Sequence, residues 1–400
     1  MLAAAVRASL LAAGCVVRDY GICPTPVLQF AAAQENAAGA ISISGGHMGM
    51  GWNALTLIDG TGACLDPAGG DAVLDLFHSG DFRKCDFSHQ GAIEEVPGFF
   101  SRYLDRLEAQ VDAAAIRQRG YTVLIDPVAG AGCPFLEDVA RRFNFALVPI
   151  NAEPSAYLPR EPEPRPRSAA PLAAMISHVG GDIGFVLNSD VTRLSIVTEQ
   201  GEPASEEYSF AVVADHVLGQ RPGPVVTNTC TSRMIDDVSA RHQAPLVKTR
   251  VGQAYIVARL ADEDGVLGGE GSGSVVLPRF HPGFDGFLMM ALILEAMATT
   301  DWTASELLKA LPKYHIVKRN RPCDAHAAYH AVDTIRQRLA LRADGRMDVS
   351  DGVRIDWDDG WIHVRPSQTE QMIRVISEST DRELATTRAD EMRRLVERET

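Results

Sequence analysis

Short apolar segments of strand length recur along the chain, and each runs into a glycine-rich or polar loop that precedes a helical pattern. Residues 40–44, 121–125 and Ile183–Leu187 are such segments. Alternating strands and helices predict α/β units with mostly parallel sheets. The loops then lie at the carboxyl ends of strands, where α/β proteins bind their ligands. Near the C-terminus the pattern changes, because Val353–Trp357 and residues 361–364 predict a hairpin.

The composition limits the classes of function that the chain can have. Its 400 residues are enough for two to four domains. With 38 basic and 52 acidic residues, the net charge of −14 disfavours binding to nucleic acid. The longest apolar run, residues 287–294, is too short to span a membrane. Seven cysteines, an odd number without a CxxC motif, favour a reducing, cytoplasmic compartment.

Two further segments need an interpretation. Residues 10–15 faintly resemble a lipoprotein processing site, but no basic segment precedes them and Arg7 interrupts the apolar stretch. We therefore expect an amphipathic helix that stops at Gly14. Residues 159–171 are rich in Pro, Arg and Glu, and this composition is typical of an extended segment on the surface.

Two of the loops carry candidate catalytic and metal-binding groups. Residues 44–53 place three glycines around His47, so a ligand can approach the backbone amides closely. Residues 188–193 alternate polar side chains that could point oxygens at a hard cation, but only Asp190 is charged. A structural histidine and a solvated turn between strands are the alternatives for these two loops.

Two later loops carry candidate groups for binding a sugar and a phosphate. In residues 268–273, Glu270 can accept two sugar hydroxyls and Ser272 can bond a third, while the glycines let the ring lie close. Residues 365–370 combine a guanidinium, two hydroxyls and free backbone amides, which are the parts of a phosphate cradle. The alternatives are a flexible turn and a turn without function.

Taken in this order, the four loops resemble those of the α-D-phosphohexomutase superfamily, which includes phosphomannomutases, phosphoglucomutases and phosphoglucosamine mutases. The resemblance covers essentially the whole chain and extends to connecting segments at residues 24–30, 126–132, 161–164, 231–234 and 351–365. It implies an α/β fold of four domains around a central cleft, three of them α/β with mixed, mostly parallel sheets and the last α+β. We place the domains at residues 1–86, 87–220, 221–311 and 312–400. The implied reaction moves phosphate between C1 and C6 of a hexose through a phosphoserine and a hexose bisphosphate.

The loop that carries the phosphoserine in the family departs from its pattern here. The family reads Thr-Ala-Ser-His-Asn-Pro, and this chain has Ser44-Gly45-Gly46-His47-Met48-Gly49. Gly46 stands at the serine position and cannot carry a phosphate, whereas His47 is kept. Thr56 stands where a lysine is frequent, so that candidate general base is absent. Ser42, Ser44 or His47 would have to carry or relay the phosphoryl group, and Ser44 is the possible substitute acceptor.

The loop that binds the metal in the family is also changed. Three aspartates are usual before its arginine, and here the positions hold Asn188, Asp190 and Thr192, with Arg193 kept at the catalytic position. Affinity for hard cations depends on the number of carboxylates. We therefore expect only weak binding of Mg²⁺, the cofactor that the resemblance implies together with a hexose bisphosphate activator.

The positions that bind substrate in the family are better preserved. Glu270 and Ser272 match the sugar-contacting pair, and Arg250 lies where a substrate-contacting basic residue is placed. The phosphate-binding positions are matched by Arg365, Ser367, Gln368 and Thr369. The expected partner is a small sugar phosphate, with no nucleic acid or membrane, and the chain is expected to be a monomer or a homodimer.

The start of the chain and its activity remain open at this stage. The opening segments of the family, with Thr-Ser-Gly, Arg-Gly and Gly-Arg-Asp, are not found, so we expect the true start upstream and Met1 to be internal. For function, we expect a phosphosugar mutase-like protein with a degenerate nucleophile and metal loop. The alternatives are a non-catalytic phosphosugar-binding or regulatory protein and a diverged biosynthetic enzyme acting on a modified sugar phosphate.

Overall fold

The computed structural model describes residues 1–340, 344–367 and 370–400, and its sheets divide the chain into four successive units. The first unit has two small sheets, in which β1 pairs with β4 in parallel and β2 pairs with β3 antiparallel. Its elements are α1 (Leu2–Ala12), β1 (Val17–Asp19), α2 (Thr25–Gln34), β2 (Gly39–Ser44), β3 (Ala54–Asp59), α3 (Pro67–Ser79), β4 (Ile93–Glu95) and α4 (Phe99–Glu108).

The second unit is a sheet in the order β6-β5-β7-β8, parallel except for β8, which returns antiparallel to β7. Strands β7 and β8 are buried on both faces and joined by the tight loop 188–193. The elements are α5 (Ala113–Arg119), β5 (Thr122–Asp126), α6 (Leu136–Phe143), β6 (Ala146–Pro149), α7 (Ala170–Val179), β7 (Ile183–Leu187) and β8 (Leu194–Thr198).

The third unit repeats this design with the order β10-β9-β11-β12, in which only β12 is antiparallel. Its central helix, α11, is buried almost throughout, because apolar residues occupy nearly all of its positions. The elements are α8 (Glu207–Gln220), β9 (Val225–Asn228), α9 (Met234–Arg241), β10 (Leu246–Thr249), α10 (Gln253–Asp262), β11 (Leu267–Glu270), β12 (Ser274–Val276), α11 (Gly286–Thr300) and α12 (Ala304–Lys309).

The fourth unit is a fully antiparallel sheet, β13-β17-β16-β15-β14, covered by two helices. It has an apolar core of its own, whereas the other three units share one large core. The fourth unit is therefore a separate body attached across the cleft. Its elements are β13 (His315–Pro322), α13 (Ala325–Ala340), β14 (Arg346–Asp348), β15 (Val353–Trp357), β16 (Gly360–Pro366), β17 (Met372–Ser379) and α14 (Arg382–Glu399).

Several sequence predictions can be compared with this architecture. The mixed α/β units and the antiparallel C-terminal unit confirm the predicted fold class, and the hairpin β15–β16 lies where it was expected. In the described residues, no helix combines the length and hydropathy of a membrane span. All seven cysteines are free thiols.

The interpretation of residues 159–171 as a surface segment is only partly right, because six of its residues, Arg167 among them, are exposed whereas others are buried. The Arg160 side chain is only 6% exposed and pairs with Asp126, whose side chain is fully buried. Pro162, Pro164 and Ser168 are also buried, and α7 already begins at Ala170. The polar composition is accommodated because the charged side chains find partners inside the protein.

Candidate functional site

The loops after β2 and β7 meet directly. The carbonyl oxygen of Gly46 accepts hydrogen bonds from the backbone N–H of Ser189 at 3.3 Å and from its hydroxyl at 2.5 Å. Gly46 has a positive φ of 58°, and a Cβ built on it would lie 3.8 Å from the Asp190 carboxylate. The position that lacks the serine is therefore adjacent to the predicted metal loop. Ser44 lies in the same turn, where its Oγ accepts a hydrogen bond from the Gly46 N–H.

The loop 188–193 is closed by its own hydrogen bonds. The Asn188 amide donates to Asp190 Oδ1 at 2.8 Å and to Thr192 Oγ1 at 2.9 Å, and the Thr192 hydroxyl donates to Asp190 Oδ1 at 2.7 Å. The other carboxylate oxygen of Asp190 accepts from the Thr25 hydroxyl at 3.2 Å. The three predicted metal positions thus contact one another, and Oδ1 of the single carboxylate accepts hydrogen bonds from both of the other two.

This arrangement does not suit Mg²⁺. Asn188 Oδ1 accepts from the backbone N–H groups of Thr192 and Arg193, so its NH₂ group must face Asp190. Donor hydrogens therefore fill the space where a hard cation needs oxygen ligands. Among residues 1–340, 344–367 and 370–400, no cluster of three or more His, Cys, Asp or Glu side chains could hold a metal ion.

His47 lies part-buried in a strongly basic environment. Burial, together with the positive charges of Arg193, Arg374 and Arg165, lowers the pKa of its imidazole to about 3. The ring is therefore neutral at physiological pH, with a lone pair on one nitrogen. These arginines come from three places in the sequence: the metal loop, strand β17 and the segment 159–171.

All three arginines are partly neutralised, by two acids. Glu163 pairs with Arg165 at 2.5 Å and with Arg193 at 3.0 Å, and Glu370 pairs with Arg374. The Nε atom of Arg165 is buried and has no hydrogen-bond partner. The cluster around His47 thus retains capacity to bind an anion. Sequence reasoning did not assign a role to Arg165, because it classed the whole segment as surface.

The predicted sugar-binding residues are brought together by the third unit. Glu270 is buried, and its two carboxylate oxygens accept hydrogen bonds from the Ser272 hydroxyl and the Gly252 N–H, both at 3.2 Å. The second of these bonds ties the sugar loop to the segment that carries Arg250. The Gly273 carbonyl accepts from Leu194 N–H at 2.8 Å, which joins the sugar loop to the end of the metal loop.

A charged cluster that sequence reasoning missed lies behind the sugar loop. Lys318 on β13 donates to Glu206 at 2.8 Å and to Glu207 at 2.9 Å, so it ties the fourth unit to the start of α8. Burial raises the pKa of Glu207 to about 7, although Lys318 acts in the opposite direction. A Cβ on Gly271 would lie 1.8 Å from the Glu207 carboxylate, so only glycine fits there.

The predicted phosphate cradle lies at the end of β16 and faces the third unit. Arg365 is buried, with its Nε lacking a hydrogen-bond partner and 3.7 Å from Asp351 Oδ2. Asp351 also accepts from the Val251 N–H at 3.0 Å, and Arg250 Nε donates to the Ser350 carbonyl at 2.8 Å. Ser367 Oγ accepts a hydrogen bond from the Glu370 N–H at 3.3 Å. Gln368 and Thr369 lie outside the described residues.

The four loops are therefore joined by a chain of contacts. The first and second meet at Gly46, the second and third at Gly273, and the third and fourth at Val251 and Asp351. The first and fourth are linked by the charge of Arg374 acting on His47. Such an arrangement can bind a neutral ring between two separate anion-binding regions.

Comparison with known proteins agrees with this architecture along the chain. Models of the phosphoglucomutase/phosphomannomutase family match it with alpha/beta/alpha domain I at residues 1–84, domain II at 101–201, domain III at 205–314 and the C-terminal domain at 317–395. A phosphoglucomutase/phosphomannomutase from Thermococcus kodakarensis is 33% identical over 387 residues, which are 96% of this chain and 84% of that protein.

Solved structures share the fold. A phosphoglucomutase/phosphomannomutase family protein from Burkholderia thailandensis superimposes with a TM-score of 0.85 at 23% identity, covering 100% of this chain and 86% of that one. The Aspergillus fumigatus N-acetylphosphoglucosamine mutase, in complex with GlcNAc-6P and magnesium, gives a TM-score of 0.58 at 13% identity, over 98% of this chain and 99% of that one. With the four matched domains and the Thermococcus relative, this protein belongs to the phosphoglucomutase/phosphomannomutase family.

Proposed function

We propose that this protein binds a hexose phosphate in the cleft and moves the phosphoryl group between the C1 and C6 oxygens, with His47 in place of the missing serine. The observation that carries the proposal is the neutral imidazole of His47, one residue from Gly46 and surrounded by Arg165, Arg193 and Arg374. Family membership supports a phosphosugar mutase activity in general terms.

The chemistry follows from the neutral state of the ring. The free nitrogen of His47 attacks the phosphorus of a hexose bisphosphate, an N–P bond forms, and the P–O bond to the sugar breaks. The sugar oxygen takes up the proton that the phosphorylated ring releases from its other nitrogen. A hydroxyl oxygen of a second hexose monophosphate later attacks the phosphorus, so that the N–P bond breaks and the hydroxyl proton returns to the ring. The three arginines stabilise the charge on the transferring group, which is the main protein contribution to phosphoryl transfer. Ser44 stays the alternative acceptor.

The remaining predicted residues supply recognition. Glu270 accepts hydrogen bonds from sugar hydroxyls and Ser272 bonds a further one, while Arg250, two residues before the Gly252 N–H that donates to Glu270, is the basic residue that contacts the substrate. The buried guanidinium of Arg365, with a free Nε, is suited to the distal phosphate together with Ser367.

A second candidate is a protein that binds hexose phosphate without chemistry. It is favoured by the loop 188–193, in which the single carboxylate of Asp190 already accepts hydrogen bonds on both oxygens, and by the absence of a hydroxyl at Gly46. In that case the cleft would serve a regulatory role.

One experiment separates the two. The protein is incubated with glucose 1,6-bisphosphate, and its intact mass and phosphopeptides are measured at neutral to alkaline pH, since phosphohistidine is lost in acid. Phosphate on His47, lost in His47→Ala and kept in the matched control His89→Ala, supports the transfer reaction. Phosphate on Ser44 supports the alternative acceptor. Retained binding of glucose 6-phosphate, without phosphate transfer or conversion of glucose 1-phosphate, supports the second candidate.

Three sequence predictions accompany this proposal. We place the activity in the cytoplasm, which the seven free thiols support. The chain is expected to act as a monomer or a homodimer, and size-exclusion chromatography with light scattering measures which. The domain limits at residues 86/87, 220/221 and 311/312 stay predictions that limited proteolysis can test.

A further inference from the structure

A cysteine and a histidine from distant parts of the chain meet where the third and fourth units touch. Cys230 follows β9, and its Sγ lies 3.1 Å from Nδ1 of His363 on β16. His363 is buried, whereas Cys230 keeps some accessible surface. Neither residue is used by the proposed reaction, and neither was singled out from the sequence.

The hydrogen bond at Nε2 of His363 determines whether Nδ1 can accept the thiol proton. Nε2 of His363 is hydrogen-bonded to the backbone carbonyl of Asp351. Because a carbonyl oxygen can only accept, Nε2 carries a proton, and Nδ1 of the neutral ring is left as an acceptor for the thiol proton. This is the arrangement that activates a thiol: a base within hydrogen-bond distance, held in the required tautomer by a third group.

The charges around the thiol support this reading. Burial raises the pKa of the Cys230 thiol, but His363 and Arg365 on β16 outweigh it and lower the pKa overall, against a smaller opposing effect of Asp351. The pKa of the paired His363 is raised, since the influence of Cys230 and Asp351 exceeds that of burial. In contrast, burial raises the pKa of Cys23 to about 12 and those of Cys64 and Cys133 to about 11.

We propose that Cys230 is a peroxide-sensitive thiol, activated by His363, at the contact between the third and fourth units. The thiol proton moves to Nδ1, and the thiolate attacks one oxygen of hydrogen peroxide. An S–O bond forms while the O–O bond breaks, and the departing hydroxide takes the proton from the imidazolium to give water. The sulfur is oxidised to a sulfenic acid and the peroxide is reduced.

Oxidation has a structural consequence. A separation of 3.1 Å leaves no room for an oxygen between Sγ and Nδ1, so we expect the oxidised sulfur and the ring of His363, which is hydrogen-bonded to the Asp351 carbonyl, to shift relative to each other. Asp351 holds the Val251 N–H and lies beside Arg365. We therefore expect oxidation to loosen the contact between the two units and to weaken binding of a sugar phosphate. This last step rests on the proposed function.

The first test measures reactivity alone. Intact protein is pulsed with iodoacetamide between pH 5.5 and 8, and each cysteine is followed by peptide mass mapping. We expect the alkylation rate of Cys230 to rise less steeply with pH than that of exposed Cys15, which serves as the internal reference. A profile for Cys230 that is parallel to that of Cys15, or no alkylation of Cys230 in the folded protein, overturns the proposal.

The role of the histidine is tested with His363→Asn, which should make the profile of Cys230 as steep as that of Cys15. His330→Asn, an exposed histidine of the same unit, should leave the profile unchanged. If His363→Asn does not fold, the wild-type profile alone decides. An unchanged profile in folded His363→Asn overturns the assigned role of His363.

The second test links oxidation to binding. After treatment with hydrogen peroxide, sulfenic acid is trapped with dimedone, and the affinity for glucose 6-phosphate is measured by calorimetry. We expect an adduct on Cys230 and at least tenfold weaker binding in wild type and in Cys323→Ser, but unchanged binding in Cys230→Ser. An adduct on Cys230 without loss of affinity refutes the link to the cleft. If untreated protein does not bind glucose 6-phosphate, the proposed function fails while the reactivity profile still tests the thiol.

Discussion

The buried pair between Asp126 and Arg160 provides a quantitative prediction. The Asp126 carboxylate is fully buried, and Arg160 donates to it through Nε at 2.8 Å and through Nη2 at 3.1 Å. The same guanidinium donates to the Leu187 carbonyl at 2.8 Å, at the end of β7. Arg160 therefore joins the ends of β5 and β7, immediately before the loop that contains Asp190.

In Arg160→Ala, Asp126 keeps only the Asn151 amide at 2.9 Å and the Val128 N–H at 2.8 Å as donors to its carboxylate. Leaving a buried charge without its partner costs about 3–5 kcal/mol. At about 1.4 kcal/mol per factor of ten, amide exchange through local opening should accelerate by roughly 10² to 10³-fold or more. Hydrogen exchange measured by mass spectrometry on peptides that cover β5 and β7 reads this change directly.

The chain contains a matched control in the same segment. Arg167 forms a bidentate pair with Glu161 at 2.6 Å for both bonds, but its side chain is 66% exposed. Arg167→Ala should cost only about 0–1 kcal/mol. Adding Asp126→Asn to Arg160→Ala should recover part of the loss, because the uncompensated charge is removed. Equal effects of Arg160→Ala and Arg167→Ala on exchange would refute the argument that burial decides the cost.

Three further predictions follow from the site. The pKa of His47 is about 3, below the value for a histidine in the unfolded chain, so the contribution of the neutral ring to stability is lost only as the pH falls from about 6.5 towards 3. The NMR resonance of the His47 ring should therefore not shift between pH 5 and 8. A titration of the ring near pH 6.5 would contradict this prediction. The pKa of Glu207 is raised to about 7, so its contribution to stability is fully present below about 4.5 and is lost as the pH rises through 7. Glu207→Gln should reduce the difference between the urea midpoints at pH 5 and pH 8, and an unchanged difference argues against a titration there. Gly271→Ala places a methyl group 1.8 Å from the Glu207 carboxylate, and overpacking should displace the sugar loop. Calorimetry should then show glucose 6-phosphate binding that is weaker by roughly tenfold or more. The control Gly70→Ala should not change the affinity, because a methyl group there has nothing within 4 Å.

Much of the fold could be predicted from local pattern. The strand Ile183–Leu187 has the predicted limits, because a continuous apolar run followed by a polar loop specifies a buried strand. Residues 159–171 were misinterpreted because the prediction relied on composition instead of on a strand or helix pattern. Its composition is polar, and composition alone does not reveal that Asp126 lies opposite in the folded chain.

The candidate site shows the same division. Its loops were found from glycines, carboxylates and arginines in the order of the family, and the replacement of serine by Gly46 is visible in the sequence. The hydrogen bonds to Asp190 are not visible in the sequence, since they depend on how one short loop closes on itself. The proximity of Arg165 and Arg374 to His47 required the contact of three units.

By itself, the sequence determined the order of strands and helices, the family and the residue types present in each loop, because these depend on local periodicity and on motifs that are continuous in the chain. Only the tertiary structure decided which charges are buried and which partners they meet. Cys230 and His363 are 133 positions apart in the chain, and Lys318 and Glu207 are 111 positions apart. Yet Cys230 Sγ lies 3.1 Å from His363 Nδ1, and Lys318 Nζ lies 2.9 Å from Glu207 Oε1. The protonation state of such groups is a property of their packed surroundings, since the cost of burying a charge is set by neighbours that folding brings from distant segments.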